Sequence, residues 1–204
     1  MRYTVLRPTG DYADRQREAT EAGALLYLEQ HLNASTDPSV CHPMGLYRGD
    51  IKADTDPDAR PLALAQEYAE HVFSSSGFPF RWPPESRALF SSSRGYGNLS
   101  RLGPDVVGIL MEPGHVSNPA FAAWVKTPAG ILALARCIVH VVRGGAPHGG
   151  VIALSVGHLG KTSNPHDKGA PVYGGGWEGE IAQRIVDMAS ALLATEVPPA
   201  PRPG

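Results

Sequence analysis

Residues 151–184, VIALSVGHLGKTSNPHDKGAPVYGGGWEGEIAQR, read as strand, loop and helix in that order. VIALSV is a short β-branched and apolar run that stops where a Gly-rich polar segment begins, the pattern of a buried strand. The loop opens on His158 and closes at Glu178, after which Ile181, Ile185, Met188 and Leu192 recur at helical spacing. Strand, Gly-rich loop and acidic helix start are how an α/β domain often opens, yet here they stand near the end of the sequence.

Working outward, the same alternation recurs upstream. YTVLR, ALLYLEQHL, MGLYR and VVGILME read as strands. Between them lie helical patterns. DYADRQREATEAG has an Asp able to cap it and a Gly able to stop it; ARPLALAQEYAEHVFSSSG sets Leu62, Ala65, Tyr68, Ala69 and Val72 on one face; PAGILALARCIVHVVRGG is apolar enough to be buried. This alternation predicts an α/β domain with helices on both faces of a sheet. GFPFRWPPESR and the stretch from Ser35 to Arg60 read as two long loops, and residues 196–204 as a Pro-rich tail.

With 204 residues, 42% hydrophobic and 19% charged, one domain over 1–195 is the expectation. A net charge of -2 without a block of Lys or Arg argues against nucleic acid as a partner. ILALARCIVHVV is interrupted by Arg136 and His140 and is short for a bilayer span, so membrane insertion is not expected. The start, MRYTVLRPTG, carries no apolar secretion segment, so delivery to any extracellular target is expected to depend on something else. Cys41 and Cys137 are expected to be unpaired thiols.

The chemistry-bearing residues gather at element ends. His158 follows VIALSV, His31 ends ALLYLEQHL, Glu112 ends VVGILME and Glu178 opens a helix. Sites in open α/β sheets form where strands end, so these four can meet although the sequence scatters them. Two imidazoles and a carboxylate are a common catalytic zinc set, with a second carboxylate free to act as base. Singly, each also fits a structural role: a hydrogen-bonded histidine after a strand, or a glutamate complementing a helix dipole.

The wording around them resembles a family, the zinc-dependent N-acetylmuramoyl-L-alanine amidases of the type 3 class. VGHLGK and EGEI stand where that family carries a strand, a GHGG-like loop and a Glu at a helix start. RQREATEAGALLYLEQHLNAS resembles its Arg-containing helix and the strand ending Ser-Ile-His-Ala-Asn, with His31 and Asn33 in register. ILMEPGHVSNP resembles its strand ending in Glu and its Gly-Phe-x-Ser-Asn, keeping Glu112, Gly114, Ser117 and Asn118. The block order is reversed, which implies a circular permutation: residues 1–143 would correspond to the family's C-terminal part, 144–150 to a joining linker and 151–195 to its N-terminal part. Seven residues reach roughly 23–25 Å when extended, enough for such a join.

The resemblance implies a three-layer α/β/α sandwich with a mixed sheet of about six strands. It implies a Zn2+ cofactor held by His31, His158 and Glu178, with Glu112 as the catalytic glutamate. The substrate implied is the peptidoglycan amide between N-acetylmuramic acid and L-alanine, so action on the cell wall, whether in phage lysis or host remodelling. Departures are Leu159 for a loop glycine, Gln30 inside the histidine block and His115 for the usual Phe. His115, Asn33 and Asn118 are candidate substrate or supporting residues, and His166 is a rival ligand eight residues after His158. Two other readings stay open: another zinc amidohydrolase or peptidase on the same fold, and a non-catalytic wall-binding domain.

Overall fold

The computed structural model describes residues 3–49 and 59–195, so the Pro-rich tail at 196–204 lies outside the described residues. In chain order the elements are β1 (Tyr3–Leu6), α1 (Tyr12–Glu21), β2 (Leu26–Gln30), β3 (Met44–Arg48), α2 (Ala59–Ser75), β4 (Glu85–Leu89), β5 (Val107–Glu112), α3 (Pro119–Val125), α4 (Pro128–Gly145), β6 (Gly150–Val156) and α5 (Glu178–Ala194), with a 3-10 turn at Tyr96–Asn98. The strands make one sheet ordered β1-β6-β2-β5-β3-β4. The first four of that order are mutually parallel; β3 runs against β5, and β4 follows β3, so the sheet is mixed and six-stranded as expected.

Strand alternation divides the sheet into two faces. Leu26 and Leu28 of β2, Ile109 and Met111 of β5, and Ile152 and Leu154 of β6 pack against α2, α3, α4 and α5. Tyr27, Leu110 and Ala153 turn the other way, onto Ala19 of α1 and onto Leu99 and Leu102. The sandwich is therefore uneven, with four helices on one face and α1 with the 3-10 turn on the other. At 18 residues α4 is long and apolar enough to cross a bilayer, but half of it is buried inside the protein and it serves as the central core helix. Cys41 and Cys137 are buried, unpaired thiols.

Several sequence expectations shift. Part of the long GFPFRWPPESR loop is β4, a largely polar strand at the sheet edge that pairs Glu85 with Met44 and Leu89 with Arg48. NPAFAAWV forms α3, started by Pro119 and capped by the Asn118 side chain, which accepts from Phe121 N at 3.0 Å. On α2 the buried face runs through Leu64, not Leu62, together with Ala65, Tyr68, Ala69 and Val72. On α5 Met188 is 37% exposed, and Ala189 takes the inward position because small residues let α5 lie close against α4. Helix and strand also absorb Gly144, Gly145 and Gly150 of GGAPHGG, so the connection between α4 and β6 is Ala146–Gly149.

Candidate active site

The central strands β6, β2 and β5 are adjacent and parallel, so the residues at their C-terminal ends emerge at one edge of the sheet. His31 directly follows β2, Glu112 ends β5 and His158 lies just beyond β6, while Glu178 opens α5 beneath them. His31, His158 and Glu178 offer one ligand atom each, all within 4.8 Å of one another. Glu178 Oε1 stands 3.2 Å from His31 Nδ1 and 3.2 Å from His158 Nε2, and the two rings meet edge-on with centroids 4.8 Å apart. Glu178 and His31 are buried; the backbone N–H groups of Leu32 (3.0 Å) and Ala170 (2.9 Å) donate to the two Glu178 oxygens.

The outer ring nitrogens decide which nitrogens face inward. His31 Nε2 lies 2.8 Å from the fully buried Glu29 carboxylate, and His158 Nδ1 lies 2.9 Å from Asp167. Donating outward leaves His31 Nδ1 and His158 Nε2 as lone pairs aimed at a carboxylate oxygen, three acceptors with nothing between them. Only added protons or a cation can reconcile that set, and two imidazoles with one carboxylate fit Zn2+. The carboxylates draw positive charge to this point, whether a proton or a metal ion carries it. Burial opposes the ionised form of Glu178, but hydrogen bonds from His158 and His31 win and hold its carboxyl well below the usual range. Burial likewise opposes a charged His31, yet its bonds to Glu178 and Glu29 push it well above an ordinary histidine. For Asp167, burial is outweighed by Lys161, the Gly169 N–H and His158, which bring it down to about 2.

The loop that carries His158 is held in an unusual shape. His158 has a φ of 67°, left-handed backbone that a non-glycine residue adopts at a cost of roughly 1–3 kcal/mol. Gly157 N donates to Gln30 O at 2.8 Å, and His158 N donates to the Tyr12 hydroxyl at 3.3 Å. The buried Arg15 of α1 completes the clamp: its guanidinium donates to Gly10 O at 2.7 Å, to Ser155 Oγ at 3.3 Å, and to the carbonyls of Val156 and Leu159. Asp11, placed to cap α1, instead spends its carboxylate on Thr162 and Ser163 of the same loop.

Glu112 lines the same cleft, about 630 Å³ in volume, together with His31, His158, Glu178, Tyr12, Asn33, Arg94 and Lys161. Burial raises its pKa; His31 opposes that shift, Glu178 adds to it and Arg94 opposes it. The other candidates divide between the cleft and the rest of the fold. Asn33 lines the cleft, whereas Asn118 caps α3 and ties down Pro38 O at 2.8 Å. His115 is buried with its ring 4.8 Å from that of His42, and burial takes it down to about 4. His166 is exposed in its turn, and His71 and His140 stack on each other 3.7 Å apart between α2 and α4. Trp82 and Trp177 are exposed. Sequence reasoning passed over Glu29 and Asp167. Glu29 had a signal, an acid two positions before a strand-end histidine and therefore on the same face; for Asp167, nine residues into a loop from His158, spacing carries none.

No family model matches the sequence, and no curated protein matches it significantly. Solved structures do match the fold. An N-acetylmuramoyl-L-alanine amidase from Clostridium difficile 630 is 20% identical with a TM-score of 0.52, over 68% of this chain and 66% of that one. The N-acetylmuramyl-L-alanine amidase of Mycobacterium smegmatis is 18% identical with a TM-score of 0.52, over 66% and 59%. The catalytic domain of CwlV from Bacillus (Paenibacillus) polymyxa var. colistinus is 15% identical with a TM-score of 0.50, over 66% and 64%. The chain has the fold of these amidases. It spans less than two thirds of the length of each of the three structures. On this amidase fold the parallel strands β6, β2 and β5 present the histidine and glutamate cluster at their shared edge.

Proposed function

We propose that this protein is a zinc-dependent peptidoglycan hydrolase, an amidase that cleaves the bond between N-acetylmuramic acid and the L-alanine of the stem peptide. One observation carries the proposal: on an amidase fold, His31 Nδ1, His158 Nε2 and Glu178 Oε1 converge as bare acceptors, with Glu112 lining the same cleft. Held by these three residues, a zinc ion would supply a Lewis acid that polarises the scissile carbonyl and lowers the pKa of a water toward about 7.

The chain's own groups do the rest. Glu112, made less acidic by burial, is suited to take a proton from the attacking water and return it to the leaving nitrogen, which departs poorly unless protonated. Asp167 holds the His158 imidazole in its orientation. Arg94 brings positive charge to the cleft, which suits the carboxylates of a stem peptide and a cell-wall site of action.

Circular permutation belongs to the same proposal. The matched share of the chain, 66–68%, is close to the share that residues 1–143 make up, as expected where the rest stands in a different order. β6 sits between β1 and β2, and α5 runs back from the site to β1, where Arg7 pairs with Asp187 at 2.9 Å. α5 thus lies alongside β1, and a connection from α5 to β1 would restore the unpermuted order.

Digestion of purified cell wall is the test. New L-alanine N-termini on intact glycan support the amidase; cuts confined to the peptide favour a peptidase, and sedimentation with walls without hydrolysis favours a binding domain. Glu112→Gln is expected to lower turnover by roughly 10²–10⁴-fold with zinc content unchanged, and full activity in that variant removes Glu112 from the mechanism.

A further inference from the structure

Glu29 is an acid inside a central strand, where an apolar residue would pack at lower cost. It is fully buried on β2, two positions before His31 and hence on the same face of the sheet. Its surroundings consist of donors. Oε1 lies 2.8 Å from His31 Nε2 and also accepts from Asn98 Nδ2; Oε2 accepts from the Tyr27 hydroxyl at 2.6 Å and from Ser155 Oγ at 3.2 Å. Four donors meet the roughly four lone-pair positions of one carboxylate. Asn98 Nδ2, 3.3 Å from His31 Nε2, is itself a donor committed to Glu29, so among the described residues Glu29 is the acceptor for that ring nitrogen.

We propose that Glu29 is a positioning residue for metal binding: it fixes the His31 proton on Nε2 and the plane of the ring, and so presents the Nδ1 lone pair beside His158 Nε2 and Glu178 Oε1. Ser155 links the device to the rest of the fold. Paired in register with Glu29 across β6 and β2, it accepts from the Arg15 guanidinium at 3.3 Å and donates to Glu29, so one buried chain runs from the clamp on the His158 loop to the His31 ring. The inference rests on the zinc reading of the site and adds a residue to it. Glu29 touches neither substrate nor reacting atoms, and its effect is transmitted through His31.

Zinc affinity, measured on the full chain by competition with a chromogenic chelator, tests it. Glu29→Gln keeps the shape but not the charge, and the expected loss is roughly 10–100-fold, with a larger loss for Glu29→Ala. The zinc reading itself is checked in parallel: the parent should bind one ion and His31→Ala should lose it. If the parent binds and His31→Ala does not, while folded Glu29→Gln and Glu29→Ala both stay within twofold of the parent, the positioning role is overturned and the zinc site stands. A parent that binds no zinc overturns both. Nitrogen NMR of the zinc-loaded parent, labelled at histidine, needs no variant: His31 should show a protonated Nε2 and a metal-shifted Nδ1, and the opposite tautomer refutes the proposal.

Discussion

Gly157 and Gly169 keep open the space in which the ligand side chains meet. A Cβ on Gly157 would fall 2.5–2.6 Å from three atoms of the His31 ring; one on Gly169, whose φ is +77°, would fall 2.6 Å from Glu178 Oε2. Gly157→Ala is therefore expected to displace His31 and weaken zinc binding at least tenfold, as read by chelator competition, and an affinity equal to the parent's would contradict the geometry. His115 carries a different prediction. Burial takes it to about 4 from the 6.5 of an exposed histidine, so between those values the unfolded chain binds more protons. Its contribution is complete above about pH 6.5 and is lost as pH falls toward 4, worth up to roughly 3 kcal/mol. Thermal unfolding across that range should show a steeper acid limb in the parent than in His115→Gln; equal limbs would remove His115 as the cause. The four residues proposed to act on metal and substrate were legible because each sits where a strand or helix pattern visibly starts or stops. Glu29 and Asp167 were harder to read, since their roles depend on strand facing and loop path.

Among the elements, β3 and α2 are packed so tightly that Gly45 has no room for a side chain. A Cβ there would lie 2.1 Å from the Ala65 carbonyl oxygen, a backbone atom that can yield only if the whole helix moves. Gly45→Ala should destabilise the protein by roughly 1–3 kcal/mol or more in denaturant unfolding, and a loss under about 0.5 kcal/mol would show that α2 shifts freely. The central strands and long helices were legible because their apolar patterns match one period over several residues. β4 was not, because an edge strand exposes alternate residues and needs no apolar run: Glu85, Ser86 and Arg87 read as loop. α3, seven residues long, offers too few turns for periodicity, although Asn118 and Pro119 mark its start.

For the whole molecule, circular permutation requires a sheet whose central strands would pair identically if the chain were cut and rejoined elsewhere. A variant with new ends opened within Ala146–Gly149, and a flexible linker running from the end of α5 to β1, should fold and bind zinc with an affinity within a few-fold of the parent. Failure to fold with several linker lengths would argue against the permutation. The reversed order of blocks rests on the resemblance alone, since composition and periodicity are unchanged by reordering. The functional predictions rest on the claim that His31, His158 and Glu178 share one zinc ion. Anomalous scattering at the zinc edge, from crystals grown with one equivalent of the metal, tests it most directly. A shared ion predicts a single strong peak within bonding distance of His31 Nδ1, His158 Nε2 and the Glu178 carboxylate; a peak elsewhere, such as beside the stacked His71 and His140, with none between these three, would contradict it.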